Sequence, residues 1–136
     1  QRMKSWHAQR LANAQRIWST ARVFPGLRVP LPSADITHAA YKCYVFVEPN
    51  ALLPGWNRDR ILNEITTRGV PCFSGSCSEV YLEKAFDGTG MRPVEPLAIA
   101  RDLGETSLMF LVHPTLTDAE INKTCDVLVE VMREAC

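Results

Sequence analysis

Cysteine and histidine are the residues of this chain whose types and spacing come nearest to self-contained chemistry. Cys72 and Cys77 are separated by four residues, and His38 and His113 stand at a distance in sequence. Zinc sites use tighter pairs, C-x₂-C or H-x₃-H, so this spacing does not favour a metal centre. A Cys77–His113 nucleophile pair needs the fold to join two distant segments, and no third residue is marked to orient the histidine. Cys72 lies in an apolar stretch and reads as a small hydrophobe. Neither Gly75 nor Gly88-Thr89-Gly90 falls in a phosphate-binding glycine pattern. His113 carries two readings, a residue that pins the following turn or one at the edge of a ligand cleft.

The segment that draws attention instead is Ser74-Gly75-Ser76-Cys77-Ser78. Its side chains have almost no bulk, so a ligand or another backbone can come close. Ser74, Gly75, Ser76 and Cys77, with His113, are the candidate substrate-facing set. No catalytic, cofactor-binding or metal-binding residue is assigned.

Positioning that loop requires a folded domain, and the chain has the means for one. Its 136 residues fit one core, at 46% hydrophobic and 22% charged. Fifteen basic residues balance fifteen acidic ones. That neutrality gives no basic excess for a nucleic-acid partner. Arg2, Lys4, Arg10, Arg16 and Arg22 fit the wet face of a helix. No apolar run is long enough to span a bilayer. Five cysteines without a secretory signal read as reduced, cytosolic thiols.

Hydrophobic periodicity predicts a helix from Met3 to Val23, stopped by Phe24-Pro25-Gly26. Short strands are expected at Leu27–Leu31, Tyr41–Val47 and Val70–Phe73. Between the last two, Asn57 should cap a helix from Arg58 to Arg68, with Gly69 closing it. Glu79–Phe86 reads as a helical turn and Asp87–Gly90 as a plain turn. A short helix at Pro96–Leu103 should end at Gly104, followed by a doubly buried strand over Ser107–Val112. Thr117-Asp118-Ala119-Glu120 is a capping box for the last helix. Tyr41, Tyr44, Phe46 and Phe73 are the expected aromatic core. The fold class is α/β (α+β-like), a small sheet with helices packed on it.

The order of these segments resembles the C-terminal region of DegT/DnrJ/StrS-type nucleotide-sugar aminotransferases. Four stretches carry the resemblance. They are Phe24-Pro25-Gly26-Leu27-Arg28-Val29-Pro30, the His38 to Val47 strand region, the Arg58 to Pro71 helix and strand, and Glu105 through Thr117. The last of these, similar to E-x-x-L-S-L-P-x-H-P-x-L-T, is the most specific. The resemblance implies that residues 1–136 are one small domain, with helix 1–24 as the tail of an interdomain helix. It also implies a parent enzyme that uses pyridoxal phosphate and moves an amino group, usually from glutamate, to a nucleotide-linked keto-sugar.

In that family the catalytic lysine and phosphate-binding residues lie in a large N-terminal domain, so the isolated chain is expected to be inactive. The start at Gln1 within a helical pattern agrees with a piece of a longer protein. The implied partners are the missing large domain, a second copy in a homodimer and a nucleotide-sugar substrate, in a cytoplasmic setting without membrane or nucleic acid. Trp6 and Trp18 are the expected exposed apolar contacts. In the family the loop after the strand that matches Val70–Phe73 often carries His-Tyr-Pro. Here Gly75, Ser76 and Cys77 stand at the matching positions, which opens space or changes the loop's path. The other readings are a stand-alone α/β interaction module without catalysis and a thiol-dependent enzyme using Cys72, Cys77 or Cys125.

Overall fold

A computed structural model describes residues 3–136. Four helices, α1 (Met3–Ala21), α2 (Arg58–Thr67), α3 (Ala98–Thr106) and α4 (Asp118–Ala135), accompany four strands. The strands are β1 (Leu27–Arg28), β2 (Cys43–Val47), β3 (Cys72–Phe73) and β4 (Ser107–Phe110). They form one antiparallel sheet in the order β1-β2-β4-β3, with Tyr44 opposite Met109 and Phe73 opposite Met109 on the other side.

Alternation along β2 decides which face is dry. Cys43, Val45 and Val47 are buried, while Tyr44 and Phe46 on the other face are half-buried. Every residue of β4 is buried, as expected of a central strand. α1 and α2 both pack against α4 and against the sheet. Ile17, Ile61, Ile65, Phe110, Leu128 and Met132 are fully enclosed between these layers. Burying each side chain of this size contributes about 1.5–3 kcal/mol.

Local signals set the helix ends. Asn57 accepts from the Arg60 amide at 2.8 Å and starts α2. Gly69, at φ +78°, closes it in a Schellman turn, with Gly69 N–H donating to Thr66 and Val70 N–H to Ile65. Thr117 and Glu120 form the capping box of α4 in both directions.

Several expectations need correction. β1 stops at Arg28, because Pro30 and Pro32 cannot donate to a ladder. β2 begins at Cys43, since Ala40 at φ +46° turns the chain just before it. β3 is confined to Cys72–Phe73, and β4 ends at Phe110. α3 runs through Gly104 to Thr106. Tyr41 is 70% exposed and Phe73 is 47% exposed, so neither belongs to the core. Tyr41 stands under Arg10, 5.6 Å from the ring centroid. Trp18 is buried, and its indole N–H donates to the Tyr44 carbonyl at 3.0 Å. Trp6 is the one of the two tryptophans that is exposed.

Candidate functional site

The loop from Ser74 to Ser78 leaves the end of β3 beside the start of β4. It borders a cleft of about 480 Å³ that also meets Arg58, Glu79, Glu83, Lys84, Arg101 and Gly104. Gly75 sits at φ +95° with its Cα against the ring of Tyr44. A Cβ there would lie 2.7 Å from Tyr44 Cε1, so both backbone and space require glycine. Ser107 Oγ donates to the Ser74 carbonyl. The Ser76 amide donates to the Tyr44 hydroxyl at 3.3 Å. On the far side Ser78 presses on α3 at Gly104, where any Cβ would collide with its hydroxyl. That contact explains why a glycine sits inside a helix that it does not end.

Arg58 ties the cleft to the rest of the domain. Its Nη1 donates to the carbonyls of Gly104 and Ser107, both at 3.1 Å, and its Nε to Asp59 at 2.7 Å. Arg101 faces Glu105 at 3.5 Å. Of the two acids, Glu79 accepts the Tyr81 hydroxyl at 2.6 Å. That bond, with the nearby negative charge, holds the Tyr81 phenol above its ordinary pKa. Glu83 accepts from the exposed Cys77 thiol at 3.5 Å.

Two smaller hollows adjoin the cleft. One of about 290 Å³ is lined by His38 to Lys42 with Tyr44 and Ser76. The other, about 210 Å³, lies among Tyr44, Phe46, Ser76, Leu103 and Ser107. Ser76 borders all three spaces.

Ser74, Gly75, Ser76 and Cys77 thus stand together on one wall. His113 does not join them. It follows the opposite end of β4, roughly 20 Å of extended chain from Ser107. There its ring meets Thr115 Oγ1 at 2.7 Å, and its carbonyl accepts from buried Asn13 at 3.3 Å. Cys77 and His113 therefore form no pair. Cys72, paired beside Phe110 in the sheet, is buried, and loss of hydration pushes its thiol up to about 12. Burial, with Cys125 nearby, also raises Cys43.

Tyr44, Arg58 and Gly104 shape the site, and sequence reasoning did not single them out. Two of them carried a signal. An arginine at the first position of a helix opposes the helix dipole, and a glycine inside a helical pattern weakens it. Each is explained by a contact made outside its own helix.

No family model matches the chain, nor does any curated protein at a significant level. Solved structures do. The aminotransferase from Psychrobacter cryohalolentis is 52% identical over 97% of this chain, with a TM-score of 0.91. A DegT DnrJ EryC1 StrS aminotransferase from Brucella abortus is 19% identical over 90% of the chain, with a TM-score of 0.71. NtdA from Bacillus subtilis, solved with bound cofactor PMP, is 16% identical over 94%, with a TM-score of 0.73. This chain covers 35%, 30% and 28% of those three chains, so it spans about a third of the length of the structures it matches.

In sequence and fold the chain corresponds to a segment of an aminotransferase. The resemblance to DegT/DnrJ/StrS-type enzymes carried by its motifs is shown by these structures, and the larger remainder of such an enzyme lies outside the 136 residues.

Proposed function

We propose that this chain is the C-terminal small domain of a pyridoxal-phosphate-dependent sugar aminotransferase. The whole enzyme would carry an amino group from glutamate to a nucleotide-linked keto-sugar, as a cytoplasmic homodimer. The observation that carries the reading is the 52% identity across nearly the whole chain to about a third of an aminotransferase. NtdA's bound cofactor PMP supports the choice of cofactor, since PMP and pyridoxal phosphate are the amino and aldehyde forms of one group. Among the described residues no helix is long and apolar enough to cross a membrane.

The residues present do not fit a cofactor site by themselves. Arg58 already donates to Asp59 and two carbonyls, and Arg101 faces Glu105. Lys84, the lysine on the cleft wall, is exposed, whereas an amine used for covalent catalysis is activated by desolvation or a neighbouring cation. In this reading the cofactor is held by the remainder of the enzyme. The part of this chain is to close one side of the substrate space with the 74–78 loop. Its small side chains leave room there that an imidazole or a phenol would fill, which favours a bulkier or differently substituted acceptor.

The test begins with the coding sequence upstream of Gln1. An additional domain containing a lysine placed after a strand, and glutamate-dependent amination of a nucleotide keto-sugar by the full-length protein, are the expected results. Transamination by the 136-residue chain alone would remove the assignment of the lysine to another domain. An upstream frame without such a domain would return the chain to the reading of an interaction module.

A further inference from the structure

We propose that Tyr44 is the positioning residue of the cleft. It holds loop 74–78 in one shape and keeps the main cleft separate from the neighbouring hollow at His38–Lys42. The loop has no secondary structure of its own, and Ser74, Ser76, Cys77 and Ser78 are all exposed. Side chains this small bury too little to fix a backbone. Its shape must come from what it touches.

The central contact is Tyr44. The ring supports Gly75 from below, and the hydroxyl accepts from the Ser76 amide at 3.3 Å and lies 3.4 Å from Ser76 Oγ. Tyr44 itself does not drift. It is paired with Met109 in the sheet, and its ring stacks beside Phe46 with centroids 6.4 Å apart. Its carbonyl accepts from the indole of Trp18, which is buried in the α1 core. A continuous run of contacts therefore leads from the core, through Tyr44, to the middle of a loop whose ends are tied by Ser107 at the Ser74 carbonyl and by Gly104 under Ser78.

The position of this contact gives it a second consequence. Tyr44 and Ser76 together line the 290 Å³ hollow, and Ser76 also lines the 480 Å³ cleft. The hydroxyl–Ser76 contact is the partition between them. With it in place, a ligand in the cleft meets a wall at Ser76. Without it, the loop swings and the two spaces join into one longer groove. Tyr44 thus sets how far a bound molecule extends, a specificity role that rests on the aminotransferase reading for its substrate. The loop-holding role does not rest on it.

Tyr44→Phe separates the two parts, because the ring stays under Gly75 while the acceptor is lost. Hydrogen exchange of the Ser76 amide is the direct readout in the 136-residue chain. Exchange about five- to tenfold faster in Tyr44→Phe, with the unfolding midpoint little changed, is expected from the loss of one hydrogen bond. Gly75→Ala, which forces the backbone off the ring, should accelerate exchange across 74–78 as a whole. Unchanged Ser76 exchange in Tyr44→Phe overturns the proposal. In the full-length enzyme Tyr44→Phe should raise KM for the keto acceptor more than it lowers kcat, and an equal fall in kcat and kcat/KM would overturn the specificity role. Absence of any transamination by the full-length wild type would remove the proposed function and leave the exchange result standing.

Discussion

Between Asp118 and Ala135, α4 buries six side chains on the side that faces α1 and α2. Between Ser74 and Ile99 no residue is buried, and Val80, Leu82, Met91, Val94, Leu97 and Ile99 are all at least half exposed. The second region is ordered by different means. Arg92 donates to the carbonyls of Tyr81, Leu82 and Glu83 and pairs with Asp87. Tyr81 donates to Glu79 and accepts from the Leu97 amide at 3.0 Å. These bonds fold the segment on itself without fastening it to the core. Each exchanges one partner for water when broken, so the net contribution per bond is about 0.5–1.5 kcal/mol. Burial makes the helical layer cooperative with global folding, while hydrogen bonding leaves residues 79–97, beyond the loop that Tyr44 and Ser107 hold, free to change shape alone.

The comparison breaks most visibly in the core. Phe110→Ala removes a fully enclosed ring from β4 and should lower the unfolding free energy by about 3–5 kcal/mol in a urea titration. Arg58→Ala acts on the joint between the regions. It removes charge-assisted bonds to Gly104 and Ser107, and a loss of about 2 kcal/mol is expected, with faster exchange at the α3–β4 junction. A loss no larger than about 0.5 kcal/mol would mean that the cleft is not tied to the core through this residue.

A smaller effect sharpens the helical side. Thr117→Ala should cost about 1 kcal/mol through the lost cap of α4. The Thr117 amide, then its hydroxyl, hold the Glu120 carboxyl below its ordinary pKa. A carboxylate lowered on folding stabilises above its unfolded pKa and loses that contribution as the pH falls through the folded value. The wild type should therefore lose more of its stability on acidification than the Thr117→Ala variant, as read by melting curves at pH 7 and below the usual glutamate range. Equal acid sensitivity in the two proteins would mean that the amide alone, which the variant keeps, holds the Glu120 carboxyl down.

Legibility in the sequence divides along the same line. Asn57, Gly69 and the Thr117–Glu120 box announced their helix ends, because caps depend on residues adjacent in the chain. The unbroken apolar run of β4 likewise marked a strand buried on both faces, whereas Tyr44 and Phe46 of β2, expected in the core, are half-buried. What stayed hidden depends on neighbours distant in sequence. Tyr41 and Phe73 have the composition of core residues, yet they stand on surfaces that the described residues leave open. Trp18 and Trp6 share one helix, and only the partner across α1, the Tyr44 carbonyl, decides that Trp18 is inside. Gly104 reads as a stop signal in isolation, and it becomes a contact point only once Ser78, far back in the chain, lies upon it. The 74–78 loop was legible as a place of little bulk. Its shape was not, since that is imposed by Tyr44, Ser107 and Gly104 from three different elements.

The smallest expected effect is the most telling for the cleft wall. Val94 is 98% exposed, so Val94→Asp removes no packing and introduces no buried charge. Its effect on global stability should stay within about ±0.5 kcal/mol, although the same change at Val45 or Val131 would place a carboxylate in the dry layer. Paired with Arg92→Ala, the variant distinguishes two ways of ordering the segment. If hydrogen bonds to Arg92 hold it, Arg92→Ala should make residues 79–97 markedly more sensitive to limited proteolysis while the urea midpoint hardly moves, and Val94→Asp should change neither. If Val94→Asp instead destabilises the chain by more than about 1 kcal/mol, the exposed valine has a partner in solution. The segment would then be held by burial after all, and the contrast between the two regions would collapse into one mode of packing.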